Sequence, residues 1–302
     1  MPSKRQRTSE NSRVKEKINM AKINKELVKA TKKQIEALRK VVMKGAKIAK
    51  QTNVKLGDMG SWAELPGGCD WFIPELNITV KGTCGEFCKG CFNPQNPKCS
   101  ACYVFKSYVR KTRRNEDGTV GDIQKNRCWI KLGHAYRTIA MTMFRDELLL
   151  SLDKQLTRKK KKFKVVRINE SGEFTCYEDL AMWCELSRRH PETIFYVYTK
   201  NYAAVRKALI NGIVPSNFFI NISIWHQLGI REYMEMKDHP QIRAFVLVDK
   251  EWTIERYLME GLEITSMCGA YKENGKLNHD VTCDKCKKCF SRTNKCTGCN
   301  EH

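Results

Sequence analysis

The chain has 302 residues, 41% of them hydrophobic, and carries 55 Lys/Arg against 33 Asp/Glu for a net charge of +22. That length allows one large domain or two modest ones with a real core. No apolar run reaches the roughly 18 residues that span a bilayer, and the basic start MPSKRQRTSENSRVKEK has no apolar stretch behind it, as a secretory signal would need. A cytoplasmic protein without membrane contact is the expectation.

Residues 1–56 hold 17 Lys/Arg against 4 Asp/Glu, which is +13 of the total. Such a segment suits a polyanionic partner such as nucleic acid, since each Lys or Arg that neutralises a phosphate releases a counterion. A solvated basic helix explains the charge equally well. Residues 1–13 read as disordered. From Val14 to Ala49 the apolar residues Ile23, Leu27, Ala30, Leu38, Val41 and Ile48 fall on one helical stripe. GDMGSWAELPGG (57–68) reads as a loop from its Gly and Pro content.

A short extended run, Leu76–Val80, then leads into Lys81-Gly82-Thr83-Cys84. Residues 129–157 have a helical pattern, and the basic run Arg158–Lys162 reads as an exposed turn. From there strands and helices alternate. FKVVRI (163–168) is a strand and Tyr177–Arg189 a helix stopped at His190-Pro191. IFYVYT (194–199) is a strand and Ala203–Asn211 a helix closed by Gly212. FFINISI (218–224) and IRAFVLV (242–248) are strands, Ile254–Glu260 is a helix, and Leu262–Thr265 a last short strand. Apolar runs of this length between helices indicate a parallel sheet with covered faces. About six βα units result, either a partial (β/α)6 barrel or an open doubly wound sheet, and the barrel is preferred. The expected organisation is a basic arm and helix over 1–56, an α/β core over 57–267 and a Cys-rich metal-binding extension over 268–302.

Fifteen cysteines are unusual for a reducing compartment, where they serve more often as metal ligands or catalytic groups than as disulfides. Five fall between Cys84 and Cys102 and five between Cys283 and Cys299, which points to two metal sites. Cys176 and Cys184 lie on or beside a predicted helix and read as small buried apolar residues. In the first cluster Cys84-x3-Cys88-x2-Cys91 can ligate three irons of a [4Fe–4S] cube from one tight loop and leave the fourth iron open. Cys88-x2-Cys91-x7-Cys99-x2-Cys102 is also a four-thiolate zinc knuckle, and a triplet that includes Cys102 is a further option. The second cluster, Cys283-x2-Cys286-x2-Cys289-x6-Cys296-x2-Cys299, opens like a bacterial ferredoxin run and suits a second [4Fe–4S] cluster. Zinc on Cys286, Cys289, Cys296 and Cys299 is the alternative, and Cys268 could supply another ligand. The segment has too little apolar content to order itself, so metal is expected to order it.

The C-x3-C-x2-C triplet after a strand of a βα series resembles the radical S-adenosylmethionine (SAM) superfamily. CKGCFNP (88–94) is similar to the cluster loop of the anaerobic ribonucleotide reductase activase. Gly90 stands where most such loops have an aromatic residue, and Phe92 follows the third cysteine instead. The resemblance implies SAM on the open iron, reductive cleavage to a 5′-deoxyadenosyl radical, and an electron donor such as flavodoxin or ferredoxin. It further implies SAM contacts at the C-terminal strand ends, where Ser171-Gly172-Glu173 is the nearest match to the family's G-G-E turn. Thr199, Lys200 and Ser223 are the other candidates there. An ordinary βα turn explains Gly172 and Glu173 as well, and Trp225, His226 and Asp249 at strand ends fit core packing or helix capping. The substrate class implied is a nucleic acid, nucleotide or protein. The order of CYVFKSY (102–108), RINESGEF (167–174), FYVYTKN (195–201) and the terminal cysteine group resembles the gene product 88 family of phages and mobile elements, over roughly residues 60–302. That family has no assigned reaction. A non-catalytic, zinc-stabilised nucleic-acid-binding protein is the rival reading.

Overall fold

The computed structural model describes residues 32–50, 56–67, 71–73, 76–84, 132–158, 163–272, 276, 278 and 280–300. Most of the basic N-terminal arm therefore lies outside the described residues, as do Cys88, Cys91, Cys99 and Cys102.

Helix α1 (Lys32–Gly45) buries Val42 and packs on α2 (Leu132–Met143). The contact is close: a Cβ on Gly45 would sit 2.2 Å from the Tyr136 ring. The helix expected over 129–157 is two helices, α2 and α3 (Arg145–Thr157), because Phe144 leaves the helical backbone at φ −133°, ψ 38°. Asp146 and Glu147 then fill the first turn of α3, where carboxylates complement the helix dipole. Strand β1 (Ala49–Lys50) runs antiparallel to β2 (Gly60–Ser61).

Within the loop expected over 57–68, the structure places Gly60 and Ser61 in the sheet as β2. Gly60 has no room for a side chain, with Ile48 and Phe163 atoms 2.8 and 2.9 Å from where a Cβ would stand. Trp62, Ala63, Glu64 and Leu65 follow β2 as a buried run outside regular secondary structure. Trp62 N donates to Arg167 O, Glu170 N to Trp62 O and Glu64 N to Ser171 O. The extended run before Cys84 is β4 (Ile78–Val80), which pairs with β3 (Trp71–Ile73) in a separate antiparallel hairpin. The parallel part of the main sheet thus begins at β2, which pairs with β5.

The chain then builds β5 (Val165–Ile168), α4 (Tyr177–Arg189), β6 (Ile194–Thr199), α5 (Tyr202–Ile210), β7 (Phe218–Trp225), α6 (Ile230–Met236), β8 (Ile242–Val248), α7 (Ile254–Met259) and β9 (Ser266–Met267). Helix α6 and the position of β9, a residue beyond the expected 262–265, were not foreseen. A single-turn α8 (Cys283–Cys286) and a 3₁₀ turn (Lys288–Phe290) precede β10 (Cys296–Asn300). The sheet order is β1-β2-β5-β6-β7-β8-β10-β9, parallel throughout except at β1. β10, from the cysteine-rich end of the chain, lies between β8 and β9 and is hydrogen-bonded on both sides.

Register and alternation sort the side chains into two faces. One face presents the rows Val166–Phe195–Phe218, Ile168–Val197–Ile220–Ile242 and Ile222–Ala244–Cys296. These residues share one core with Leu152 of α3, Trp183 of α4, Val205 of α5, Tyr233 of α6 and Tyr257 of α7. A doubly wound sheet would carry helices on both faces; here the helices from α3 to α7 join a core on one face. The opposite face presents Arg167–Tyr196–Phe219, Tyr198–Asn221–Arg243 and Ser223–Phe245–Thr297. It is covered by Leu56 and Met59 and by the Cys283–Phe290 segment. Among the described residues no helix is long and apolar enough to cross a membrane.

Candidate functional site

Because β2 and the strands from β5 to β8 run the same way, the loops after each collect at one edge of the sheet. Cys84 lies at that edge, buried, with its Cβ 2.9 Å from where a Cβ on Gly67 would stand. Thr83, just before it, is bonded into the edge. Its N–H and hydroxyl donate to Leu65 O at 3.0 and 3.3 Å, and its Oγ1 accepts from Glu173 N at 2.9 Å. The first cysteine of the triplet is therefore held against the turn after β5 that carries Ser171, Gly172 and Glu173. Gly172 is required there. Its φ is +89°, and a Cβ would come within 2.6 Å of Thr83 Oγ1 and 2.8 Å of Glu64 Cβ. Gly172→Ala is expected to lower unfolding free energy by about 1–3 kcal/mol, read as a fall in thermal midpoint.

Two carboxylates are buried at this edge. Glu173 accepts from Thr199 Oγ1 at 2.6 Å and Phe174 N at 2.9 Å through Oε1, and from Lys200 N at 2.7 Å through Oε2. Burial raises its pKa from 4.5 to about 7, with these donors opposing the rise. Glu64 accepts from Trp62 Nε1 at 2.9 Å. Burial takes it to about 8, reinforced by the charges of Asp179 and Glu173 and opposed by the Trp62 bond and Arg137. Four of the residues singled out in the sequence, Gly172, Glu173, Thr199 and Lys200, are thus brought together by the Glu173 carboxylate and its turn. Ser223 is half-buried on β7, and its carbonyl accepts from Tyr202 OH at 2.9 Å.

Asn169 is the residue at this edge that sequence reasoning passed over. It directly follows β5 at φ +51°, is 4% exposed, and neither its Nδ2 nor its Oδ1 has a hydrogen-bond partner. A buried amide with all its bonding capacity unused is costly unless something else satisfies it. The sequence signal was an Asn, a residue type that tolerates left-handed backbone, directly after a predicted strand. Further along the edge, His226 Nε2 and Asp249 Oδ2 are 2.7 Å apart at the ends of β7 and β8, and Trp252 stacks on the His226 ring at 5.5 Å. Asp249 also accepts from Glu251 N and Trp252 N, and its pKa is lowered, burial being outweighed by the His226 and backbone bonds. His134 is buried in α2.

A second group of cysteines gathers on the face opposite the helices. Cys268, Cys283, Cys286 and Cys289 line one cavity, whose floor is Tyr196 and Tyr198. Asn221 Nδ2 donates to Cys289 O at 3.0 Å and Arg243 Nε to Ser291 O at 2.9 Å, which fixes the cysteine segment to the sheet. Burial pushes the Cys289 thiol up to about 12, with a bond from Tyr198 opposing and the three neighbouring cysteines reinforcing. Cys296 is on the other face, within the helix-covered core, and burial raises its thiol to about 12. Cys299 lies on the cavity side of β10, with Sγ 3.7 Å from Asn300 O, and is not part of the cavity lining. Among the described residues no group of three or more His, Cys, Asp or Glu is poised around a single metal ion. Cys184 is fully buried in the core and Cys176, before α4, is half-buried.

The model of the family described as Gene product 88 matches residues 40–301 of this chain. The chain belongs to the gene product 88 family. Residues 40–301 take in both cysteine groups, the strand-end edge and every strand of the sheet. No curated protein and no solved structure matches the chain.

Proposed function

We propose that this gene product 88 family member is a radical SAM-like enzyme. In this reading a [4Fe–4S] cluster is held by Cys84, Cys88 and Cys91 at the C-terminal edge of the parallel sheet. The observation that carries it is the seat of Cys84, buried at the edge where the strand-end turns gather and tied through Thr83 to the Gly172–Glu173 turn. Ligands of sheets wound this way bind at that edge. The sequential parallel order β5-β6-β7-β8 with helices on one face is the winding a partial (β/α) barrel uses, which supports the same reading.

The donor set suits the cofactors. Thiolates match iron–sulfur chemistry, and the orphaned Asn169 amide offers both a donor and an acceptor to the amino and carboxylate groups of SAM. Glu173 is occupied by Thr199, Phe174 and Lys200, so its part is to hold the turns after β5 and β6 together rather than to contact ligand. When bound, the cluster would supply the electron for reductive SAM cleavage. The substrate class is a nucleic acid, nucleotide or protein, and a flavodoxin or ferredoxin is the electron donor in this reading.

The test is anaerobic reconstitution with iron and sulfide, then dithionite and SAM. Wild type is expected to be brown and to release 5′-deoxyadenosine, while Cys84→Ala and Cys88→Ala release none. Protein that takes up zinc alone and leaves SAM intact would instead support the rival reading, a basic metal-stabilised nucleic-acid binder.

A further inference from the structure

We infer that Cys268, Cys283, Cys286 and Cys289 are the four ligands of a separate iron–sulfur cluster, set on the face of the sheet opposite the α3–α7 layer. The inference rests on a different observation from the strand-end site and stands whether or not SAM is cleaved there.

The spacing alone left five thiols in the terminal group and Cys268 as an outlier. The fold separates them. Cys283, Cys286 and Cys289 come from α8 and the 3₁₀ turn, which are joined at Lys287 in the left-handed region (φ +59°). That reversal turns three cysteines of a C-x2-C-x2-C run towards one cavity. The fourth thiol arrives from the end of β9. Cys268 N donates to Gly298 O at 2.6 Å, and a Cβ on Gly269 would stand 3.8 Å from Cys286 Sγ. Lys288 Nζ donates to Met267 O at 2.8 Å and ties the two segments together from the other side. Cys296 is removed from the set by strand alternation, because its side chain belongs to the opposite face.

The surroundings fit a cluster. The four thiols border one cavity. Soft sulfur donors alone, with no His or carboxylate, match iron–sulfur ligation. The floor of Tyr196 and Tyr198 and the neighbouring Phe290 restrict water, and Lys287 and Lys288 supply positive charge beside a group that is anionic with four thiolates. Three ligands from a short run and a fourth from a distant segment is also how ferredoxin clusters are held.

The decisive experiment uses the full chain with Cys84, Cys88 and Cys91 all replaced by Ala, so that loss of the strand-end site cannot be confused with loss of this one. After anaerobic reconstitution this protein is expected to retain about four irons per chain and a dithionite-reduced signal in electron paramagnetic resonance. Adding Cys268→Ala or Cys286→Ala is expected to remove at least three-quarters of that iron, while adding Cys299→Ala leaves it unchanged. Should the alanine variants fail to fold, Cys268→Ser keeps an oxygen ligand and is expected to shift the g-values of the signal. Iron lost with Cys299→Ala but kept with Cys268→Ala, an unshifted signal in Cys268→Ser, or uptake of zinc alone would each overturn the assignment.

Discussion

The unfolding free energy is expected to carry a component that falls as pH rises from about 4.5 to about 8, and Glu64→Gln is expected to remove most of it. Glu64 and Glu173 have folded-state pKa values of about 8 and about 7, against 4.5 for an ordinary glutamate. Between those limits the folded chain keeps protons that the unfolded chain gives up. Raising the pH therefore favours unfolding: the contribution is fully present below 4.5 and is lost as pH passes through the folded values. Each unit of pKa difference corresponds to roughly 1.4 kcal/mol, so the two buried groups together account for a change of up to roughly 8 kcal/mol. The falling positive charge of a +22 chain works in the opposite direction, and the difference between wild type and Glu64→Gln isolates the carboxyl. Gln retains an oxygen to accept from Trp62 Nε1 and has no proton to lose. Urea midpoints measured from pH 5 to 9 check this. A wild-type-minus-variant difference that is flat or rises with pH would sink it.

The physical origin of that effect is the run 62–65, which also marks where sequence reading stops. Ile194–Thr199 and Ile242–Val248 are legible because β-branched and aromatic runs bounded by turns have few alternatives to a buried strand. Tyr177–Arg189 is legible through its acidic first turn and basic last turn, with Pro191 just beyond. β2 is not, because Gly60 and Ser61 have low strand propensity and are held by Ile48, Phe163 and the ladder to β5 rather than by their own preference. β10, with the sequence Cys-Thr-Gly-Cys-Asn, is likewise a strand by its place between two others. Composition suggested a separate metal-ordered tail, and the hydrogen bonds put its last strand inside the sheet. The candidate sites divide in the same way. The cysteines and the Gly172–Glu173 turn could be singled out from residue type and spacing. Which thiols face one cavity depends on strand parity and on the turn at Lys287, and the unused amide of Asn169 becomes visible only once its neighbours are known.

Asp179→Ala is expected to lower the unfolding free energy by about 3–5 kcal/mol, the range for removing one partner of a buried ion pair. Asp179 is 1% exposed and serves several groups at once. It accepts from Arg145 Nη2 at 2.6 Å, which joins α3 to α4, and from Thr175 N and Oγ1 at 2.9 and 2.6 Å, which fixes the chain entering α4. Removing it strands the half-buried Arg145 guanidinium, whose pKa Asp179 helps to raise despite burial, and leaves two donors on Thr175 to find water. The same carboxylate raises Glu64 across the core, so its loss is expected to move the Glu64 transition to lower pH as well as to weaken the fold. The two substitutions should therefore not add: the pH-dependent difference that Glu64→Gln removes from wild type is smaller when Asp179 is already gone. A double-mutant cycle at pH 5 and pH 8 measures this directly. Equal Glu64→Gln effects in both backgrounds would mean that the strand-end carboxylates and the α3–α4 ion pair are electrostatically independent, whereas a coupled result ties the stability of the helix layer to the protonation of the edge that holds Cys84.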